Sequence, residues 1–468
     1  MTGTRRVAVV GGGISGLATA YFLRQRRDPP EVLLIEADHR LGGKIRTHDV
    51  EGLPVDTGPD GFLIRAPRMR ALVDELGLSP ALAAPATARS YLWSREALRP
   101  LPSGAAFGIP RRVLPLLRSR LLSPVGLARA GLDLVLPATE LPGDPSVAEV
   151  VRPRFGTQLL DRLVGPLVGG VYAGQPDRLS ARSATPDVAA LARRSRSLYL
   201  GLRRTASPAS GPAFMTVDGG LGRLVDALAD RLADIRLGSR VSRIDRGTGG
   251  YRLRFAVGNP EDVNAVVLAV PAFTAADLLA PLSPEAALAL GEIPYADVAS
   301  VTLAYPRAAL RRPLDGTGFL TPAGEGRLIV GCTWLPAKWA HLDDSAVVLL
   351  RCLVGRHGDT RWRDLDDDTL AARVHRELAE AMDLTAGPER VHIQRWPAAL
   401  PQYTIGHQDR LDRIDAGLRS LPGIHVTGAA YHGVGLAACV TQAEQVAAEV
   451  FAATCEHAVA ADGAADAH

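Results

Sequence analysis

Four apolar residues in a row, Val7 to Val10, run straight into Gly-Gly-Gly. A short continuous apolar run bounded by glycine predicts a strand buried on both faces, the kind parallel sheets are built from. Behind the glycines the period changes. Ile14, Leu17, Ala18 and Tyr21 fall at i, i+3, i+4 and i+7, which predicts an amphipathic helix. EVLLIEA predicts a second buried strand that ends at Glu36. Further on, Asp218 to Leu232 reads as a helix and IRLGSRVSRIDR as a strand. Asn264 to Ala272 and Ile424 to Thr427 read as two more strands, and a long helix starts near Val434. Between Gly104 and Leu136 apolar residues alternate with Arg at helical spacing. That segment suits a cap over a cavity, with an amphipathic membrane-touching surface as the alternative. Residues 457–468 are low in complexity and are expected to be disordered.

The first turn carries specific chemistry. Gly11, Gly13 and Gly16 form GxGxxG, with Gly12, Ile14 and Ser15 between them. Gly11 allows the bend, Gly13 leaves room for a pyrophosphate, and Gly16 lets helix and strand pack closely. The helix start then aims free N–H groups at the phosphates. Glu36 lies twenty residues past Gly16, placed to accept from the hydroxyls of an adenosine ribose. Together these predict a dinucleotide site. A second glycine pair follows almost at once, in Arg40-Leu41-Gly42-Gly43-Lys44-Ile45-Arg46-Thr47. It permits another close backbone approach, and Arg40, Lys44 and Arg46 add positive charge beside the same pyrophosphate.

RLGGKIRT resembles the second glycine motif of the flavin-dependent amine oxidase superfamily, whose members hold FAD. Asp56-Thr57-Gly58-Pro59-Asp60-Gly61 resembles the segment that passes beside the flavin there. TGAAYHGVGL resembles the closing motif, in which a helix N-terminus faces the flavin's pyrimidine edge. Here Ala437-Ala438 replaces a commoner Pro-Asp or Asn-Asp, a change the expected backbone contacts tolerate. The resemblance implies a mixed α/β fold (α/β, α+β mixed). Its FAD-binding domain is discontinuous and Rossmann-like, of the p-hydroxybenzoate hydroxylase/amine oxidase type, and is accompanied by a mixed-sheet substrate domain and a helical cap. The implied FAD-binding domain comprises 1–65, 213–275 and 400–456. The substrate domain would be 66–88 and 276–399, and the cap 89–212. Implied cofactor residues are Gly58, Pro59, Asp60, Gly61, Gly428, Val434, Gly435 and Leu436, with Val241 against the adenine. Trp396 and Tyr403 are candidates to wall the flavin or the cavity, and Lys338 reads as a surface lysine.

Two central segments narrow the resemblance. GPLVGGVYAGQPDRLS, Gly165 to Ser180, and RWPAALPQYTIGH, Arg395 to His407, are similar to stretches of coproporphyrinogen and protoporphyrinogen oxidases, although Gln175 stands where Asp is usual. The implied activity is six-electron oxidation of a porphyrinogen to a porphyrin in three hydride steps, with oxygen as acceptor and hydrogen peroxide as product. Coproporphyrinogen III is favoured over protoporphyrinogen IX. A tetrapyrrole with propionates needs a roomy apolar cavity with cations at its rim. Arg65 and Arg89 are the first candidates. No residue stands out as a catalytic acid or base. The resemblance further implies a cytoplasmic protein, with peripheral membrane contact as a variant, and ferrochelatase as a heme-pathway partner.

Composition supports this and excludes other classes. Hydrophobic residues make up 47% of the 468 and charged residues 22%, enough for large cores. The formal charge of +3 does not suggest a nucleic-acid binder. All but two of the 53 basic residues are Arg, the side chain that grips a carboxylate with two hydrogen bonds. The four cysteines are too scattered for a zinc or dithiol motif and fit a reducing compartment. Neither a signal peptide nor a spanning helix is expected. The rivals are a flavin amine oxidase or carotenoid desaturase on the same scaffold, and a flavin-free prenyl-carrier-like binding protein.

Overall fold

The computed structural model of the protein describes residues 5–102, 104, 108–205, 211–344 and 346–465. The first apolar run is the strand Arg6–Val10 at the centre of a five-stranded parallel sheet. Its order is Asp234–Arg236, Glu31–Ile35, Arg6–Val10, Ala265–Leu268, Ile424–Val426. Val9 pairs with Leu34 on one side and Val267 on the other, all three fully buried. The helix Ile14–Arg24 lies against this sheet. Leu17, Ala18 and Ala20 share a core with Ala437, Val440, Ala443 and Ala447 of the terminal helix Leu436–Ala465. Small residues on both helices let their axes approach closely.

Several elements differ from the sequence expectation. IRLGSRVSRIDR is two strands: Asp234–Arg236 joins the parallel sheet, and Val241–Gly247 begins a separate antiparallel meander. Gly238, at φ +61, turns the chain between them. The helix expected over 218–232 is Gly222–Ala229, the terminal helix begins at Leu436, and Glu36 sits just beyond its strand. Its backbone remains helical through 457–465, where disorder was expected; residues 466–468 lie outside the described residues.

The second large sheet has seven strands. Its order is Arg390–Pro401, Tyr295–Pro306, Val347–Val354, Ile329–Trp334, Gly318–Leu320, Tyr91–Trp93, Leu98–Pro100. Residues 91–100, expected in the cap, are therefore its last two strands. Residues 66–88, expected in the substrate domain, instead support the nucleotide side. The helix Pro67–Glu75 buries Met69, Leu72 and Val73 in the core with Val440, and Leu82–Ala83 pairs with Phe214–Val217.

Helices Val113–Ser119, Pro124–Gly131, Val147–Phe155, Gly165–Tyr172 and Pro186–Arg194 belong to the helical region. Part of the alternating segment, 105–107, lies outside the described residues. Val113, Leu114, Leu117, Val125 and Val135 are exposed. No helix among the described residues is long and apolar enough to cross a membrane.

This region is organised around a buried ion pair. Arg154 and Asp133 stand 3.7 Å apart with side chains 2% and 1% exposed. Asp133 also accepts from Ser197 Oγ at 2.7 Å and from the Tyr199 N–H at 2.9 Å. Removing one member of such a pair leaves the other charge buried without compensation. Asp133→Ala should therefore cost ~3–5 kcal/mol of stability in chemical denaturation, as truncated buried pairs do; a loss below ~1 kcal/mol, the scale of an exposed pair, would contradict the burial.

Candidate cofactor and active site

The two glycine loops touch. Gly13 and Gly42 form a parallel bridge, and the Gly42 N–H donates to Gly12 O at 2.8 Å. The glycines serve different ends. A Cβ on Gly16 would lie 1.8 Å from Gly11 O, and one on Gly11 2.4 Å from Ala269 O, so both are required by the protein's own packing. A Cβ on Gly13 would meet nothing within 4 Å, and its φ of −73 suits any residue. The space beside Gly13 is thus left open by the protein. The same holds at Gly435, just before the terminal helix. Gly428, at φ +134, lies against Ser15 Oγ.

Three distant segments meet here. Ser15 of the first loop and Lys44 of the second both face Cys439 on the terminal helix. Lys44 has solvent-accessible surface, yet the surrounding protein desolvates its ammonium and lowers its pKa. It makes no hydrogen bond or ion pair with a described residue. A desolvated cation without such a partner is stabilised by an anion. The helix Ile14–Arg24 adds to this: it begins with no side-chain cap and no acidic residue in its first turn. Free N–H groups, an ammonium without a partner among the described residues and open space at Gly13 fit a dinucleotide pyrophosphate.

Glu36 is half-buried beside this loop and accepts from the Gly12 N–H at 2.6 Å and the Asp38 N–H at 2.7 Å. Its carboxylate has further acceptor sites for a ribose. Val241 is buried in the core with Leu33 and Ile35, past a segment whose Ser239 N–H donates to Glu36 O at 2.8 Å. Arg40 turns its guanidinium onto the second loop itself, 2.6 Å from Gly43 O and 3.1 Å from Leu41 O. Ile14 and Leu436 belong to the shared helix core, while Val434 packs against the helical region.

The segment Asp56–Gly61 is fixed from the seven-stranded sheet. Trp396 Nε1 donates to Thr57 O at 3.0 Å, and Arg351 donates to Asp56 O and Gly58 O. A Cβ on Gly58 would lie 1.9 Å from Lys44 O, and one on Gly61 3.1 Å from Met215 O, so these glycines join the segment to its neighbours. Pro59 is half-buried between them. Asp60 turns into a cluster: Lys338 Nζ is 2.8 Å away, Arg351 2.9 Å and Trp339 Nε1 3.3 Å. Burial alone would raise the Asp60 pKa; Arg351 and Lys338 outweigh it and hold the carboxyl well below the usual range. Lys338 is therefore no free surface lysine but half of a partly buried clamp, with two cations on one carboxylate. Tyr403 fastens the closing motif, its hydroxyl donating to Ala429 O and accepting from the Gly433 N–H, each at 2.7 Å.

The two arginine candidates are not brought to one place. Arg65 donates to Gly211 O on the nucleotide side. Arg89 is exposed and paired with Asp315 at 2.6 Å. It lies on a groove of about 710 Å³ whose walls include Leu101, Pro115, Leu167 and Val171 and whose second cation is Arg118.

Two adjoining glycine loops, an open phosphate cradle and a closing helix mark a dinucleotide-binding fold. The model of the family of flavin-containing amine oxidoreductases matches residues 14–451, and the chain belongs to that family. It is 34% identical over 455 residues to a coproporphyrinogen III oxidase of Bacillus subtilis, covering 94% of this chain and 96% of that one. It is 37% identical over 444 residues to the coproporphyrinogen III oxidase of Mycobacterium leprae, covering 94% and 97%. The crystal structure of a putative protoporphyrinogen oxidase from Exiguobacterium superposes with a TM-score of 0.85 at 32% identity, covering 96% and 99%. The cofactor is FAD, and the cradle just described fits it.

Two outcomes follow from this geometry. Gly13→Ala should fold as the wild type does and lose most of its flavin, whereas Gly16→Ala should fail to accumulate as folded protein. Absorbance and thermal melts separate the two, and a fully yellow Gly13→Ala would contradict the cradle. Asp56 supplies a pH test. Burial raises its pKa to about 6 despite hydrogen bonds from Thr47 and Leu221. From about pH 4 to about 6 the unfolded chain ionises this group while the folded chain keeps the proton, so stability falls as pH rises through that window. Relative to Asp56→Asn, the wild type should lose on the order of 2 kcal/mol there; parallel pH profiles would contradict the raised value.

Proposed function

We propose that the protein oxidises coproporphyrinogen III to coproporphyrin III. The observation that carries this reading is the groove at Arg89 and Arg118: about 710 Å³, walled largely by apolar side chains, with Arg118 as its uncompensated cation and Arg89 paired with Asp315 at its rim. That is the chemistry an apolar macrocycle edged with propionates requires. The near-full-length likeness to coproporphyrinogen III oxidases supports the same substrate class.

Aromatising a porphyrinogen removes six hydrogens, which three molecules of oxygen can carry away as hydrogen peroxide. Bound FAD supplies a two-electron acceptor that oxygen reoxidises. The protein's own contribution is placement and charge. Gly13, Lys44 and the first helix N-terminus hold the pyrophosphate, and Glu36 takes the ribose. The Asp60 clamp, Arg351 and Trp396 fix the segment at the flavin, and Tyr403 holds the closing loop in register. The terminal helix starts with no acidic residue in its first turn, leaving its positive end to stabilise negative charge at the ring. No side chain is assigned as acid or base.

Exposed Val113, Leu114 and Leu117 beside Arg112 and Arg120 support peripheral contact with an anionic membrane. The porphyrin product is the kind of molecule a ferrochelatase consumes.

Coproporphyrinogen carries four carboxylates and protoporphyrinogen two, so a cation-rimmed groove favours the former. With purified holoenzyme, kcat/KM from porphyrin fluorescence should be at least tenfold higher for coproporphyrinogen III. The opposite ranking would transfer the assignment to protoporphyrinogen IX, and no turnover of either would end it.

A further inference from the structure

The two arginines on the groove are not equivalent. Arg89 is neutralised by Asp315 at 2.6 Å, and Tyr91 Oη donates to the same carboxylate at 2.7 Å. Arg118 is exposed and makes no hydrogen bond or ion pair with any described residue. It lies in the last turn of the helix Val113–Ser119, where the backbone carbonyls favour a cation. Its unused guanidinium therefore supplies the groove's net positive charge among the described lining residues.

The facing wall connects this cation to the cofactor side. Leu167 and Val171 are one turn apart on the helix Gly165–Tyr172 and line the groove. Tyr172, which ends that helix, has its ring 5.7 Å from the ring of Tyr403. Tyr403 in turn holds Ala429 and Gly433 of the closing motif. The helix that walls the groove thus packs, through Tyr172, on the residue that holds the closing motif.

We propose that Arg118 is a specificity-determining residue that binds a carboxylate of the substrate in this groove, with the Arg89–Asp315 pair as a neutral part of the rim. The inference rests on the substrate class proposed above. Arg118 acts on capture and not on the redox step, and its contribution grows with the number of carboxylates on the macrocycle.

The test uses FAD-loaded wild type, Arg118→Ala and Arg118→Lys. Arg118→Ala should retain full flavin content and kcat while its KM for coproporphyrinogen III rises roughly five- to tenfold. The rise should be smaller for protoporphyrinogen IX, and Arg118→Lys should recover most of the loss. Coproporphyrin III binding, read by fluorescence quenching, should weaken by a similar factor. An unchanged KM and unchanged porphyrin affinity in Arg118→Ala would overturn the inference while leaving the activity assignment intact. If the wild type turned over neither porphyrinogen, the activity assignment would fail instead. The quenching titration would then decide the inference alone, with equal affinities for wild type and Arg118→Ala overturning it.

Discussion

The close approach of two backbone loops at Gly13 and Gly42 is the constraint on which the site depends. Side chains are excluded there for two separate reasons. Gly11, Gly16 and Gly58 are demanded by backbone atoms that a Cβ would strike, so they shape the protein with or without a ligand. Gly13 and Gly435 face nothing the protein supplies. At Gly13 that open space lies where the first helix presents its free N–H groups, so a ligand there meets backbone donors and no side chain. Lys44, on the adjoining loop, is a partly desolvated cation without a carboxylate partner among the described residues, which gives the open space a sign.

Charge is handled in opposite ways at the two ends of this centre. On the nucleotide side Lys44 and a helix N-terminus have no compensating acidic residue among the described residues, an arrangement that suits a pyrophosphate. Under the Asp56–Gly61 segment it compensates fully and beyond, with Lys338 and Arg351 both on Asp60. Desolvating three charged groups is costly unless their geometry is good. Here they fix a segment whose carbonyls at Asp56, Thr57 and Gly58 are also tied down. Rigidity of that segment is what the partial burial of these charges achieves.

Local signals in the chain account for the nucleotide half. A buried parallel strand reads as an unbroken apolar run, and GxGxxG with a carboxylate twenty residues on has a mechanical basis in every glycine. The second loop and the closing helix were legible by resemblance, and both lie beside the first loop. What escaped the sequence is what long-range packing decides. Lys338 is half-buried and ion-paired because residues 60, 338 and 351 meet, and no local pattern announces that meeting. Arg89 drew attention as a cation near a substrate-side segment, yet Asp315, far along the chain, neutralises it. Residues 91–100 looked like the approach to a helical cap and are strands, since their pairing partner Gly318–Leu320 is remote. The single strand expected over 235–246 is two because Gly238 redirects the chain, a consequence of one φ value and not of hydrophobic period.

The order of segments around the site constrains how it is assembled. The central strand at Arg6–Val10 has its neighbours at Glu31–Ile35 and Ala265–Leu268, and the sheet closes with Ile424–Val426. Lys44 and Ser15 obtain their facing residue, Cys439, only when the terminal helix docks. Contacts so distant in sequence carry a loop-closure cost that must be met before they add stability. A ligand that touches both glycine loops and the closing motif binds the docked arrangement and not the open one. Its binding free energy is therefore added to the stability of that docking. Cofactor retention and the attachment of the last strand and helix are in this way one equilibrium, governed by the same few ångströms of bare backbone at Gly13.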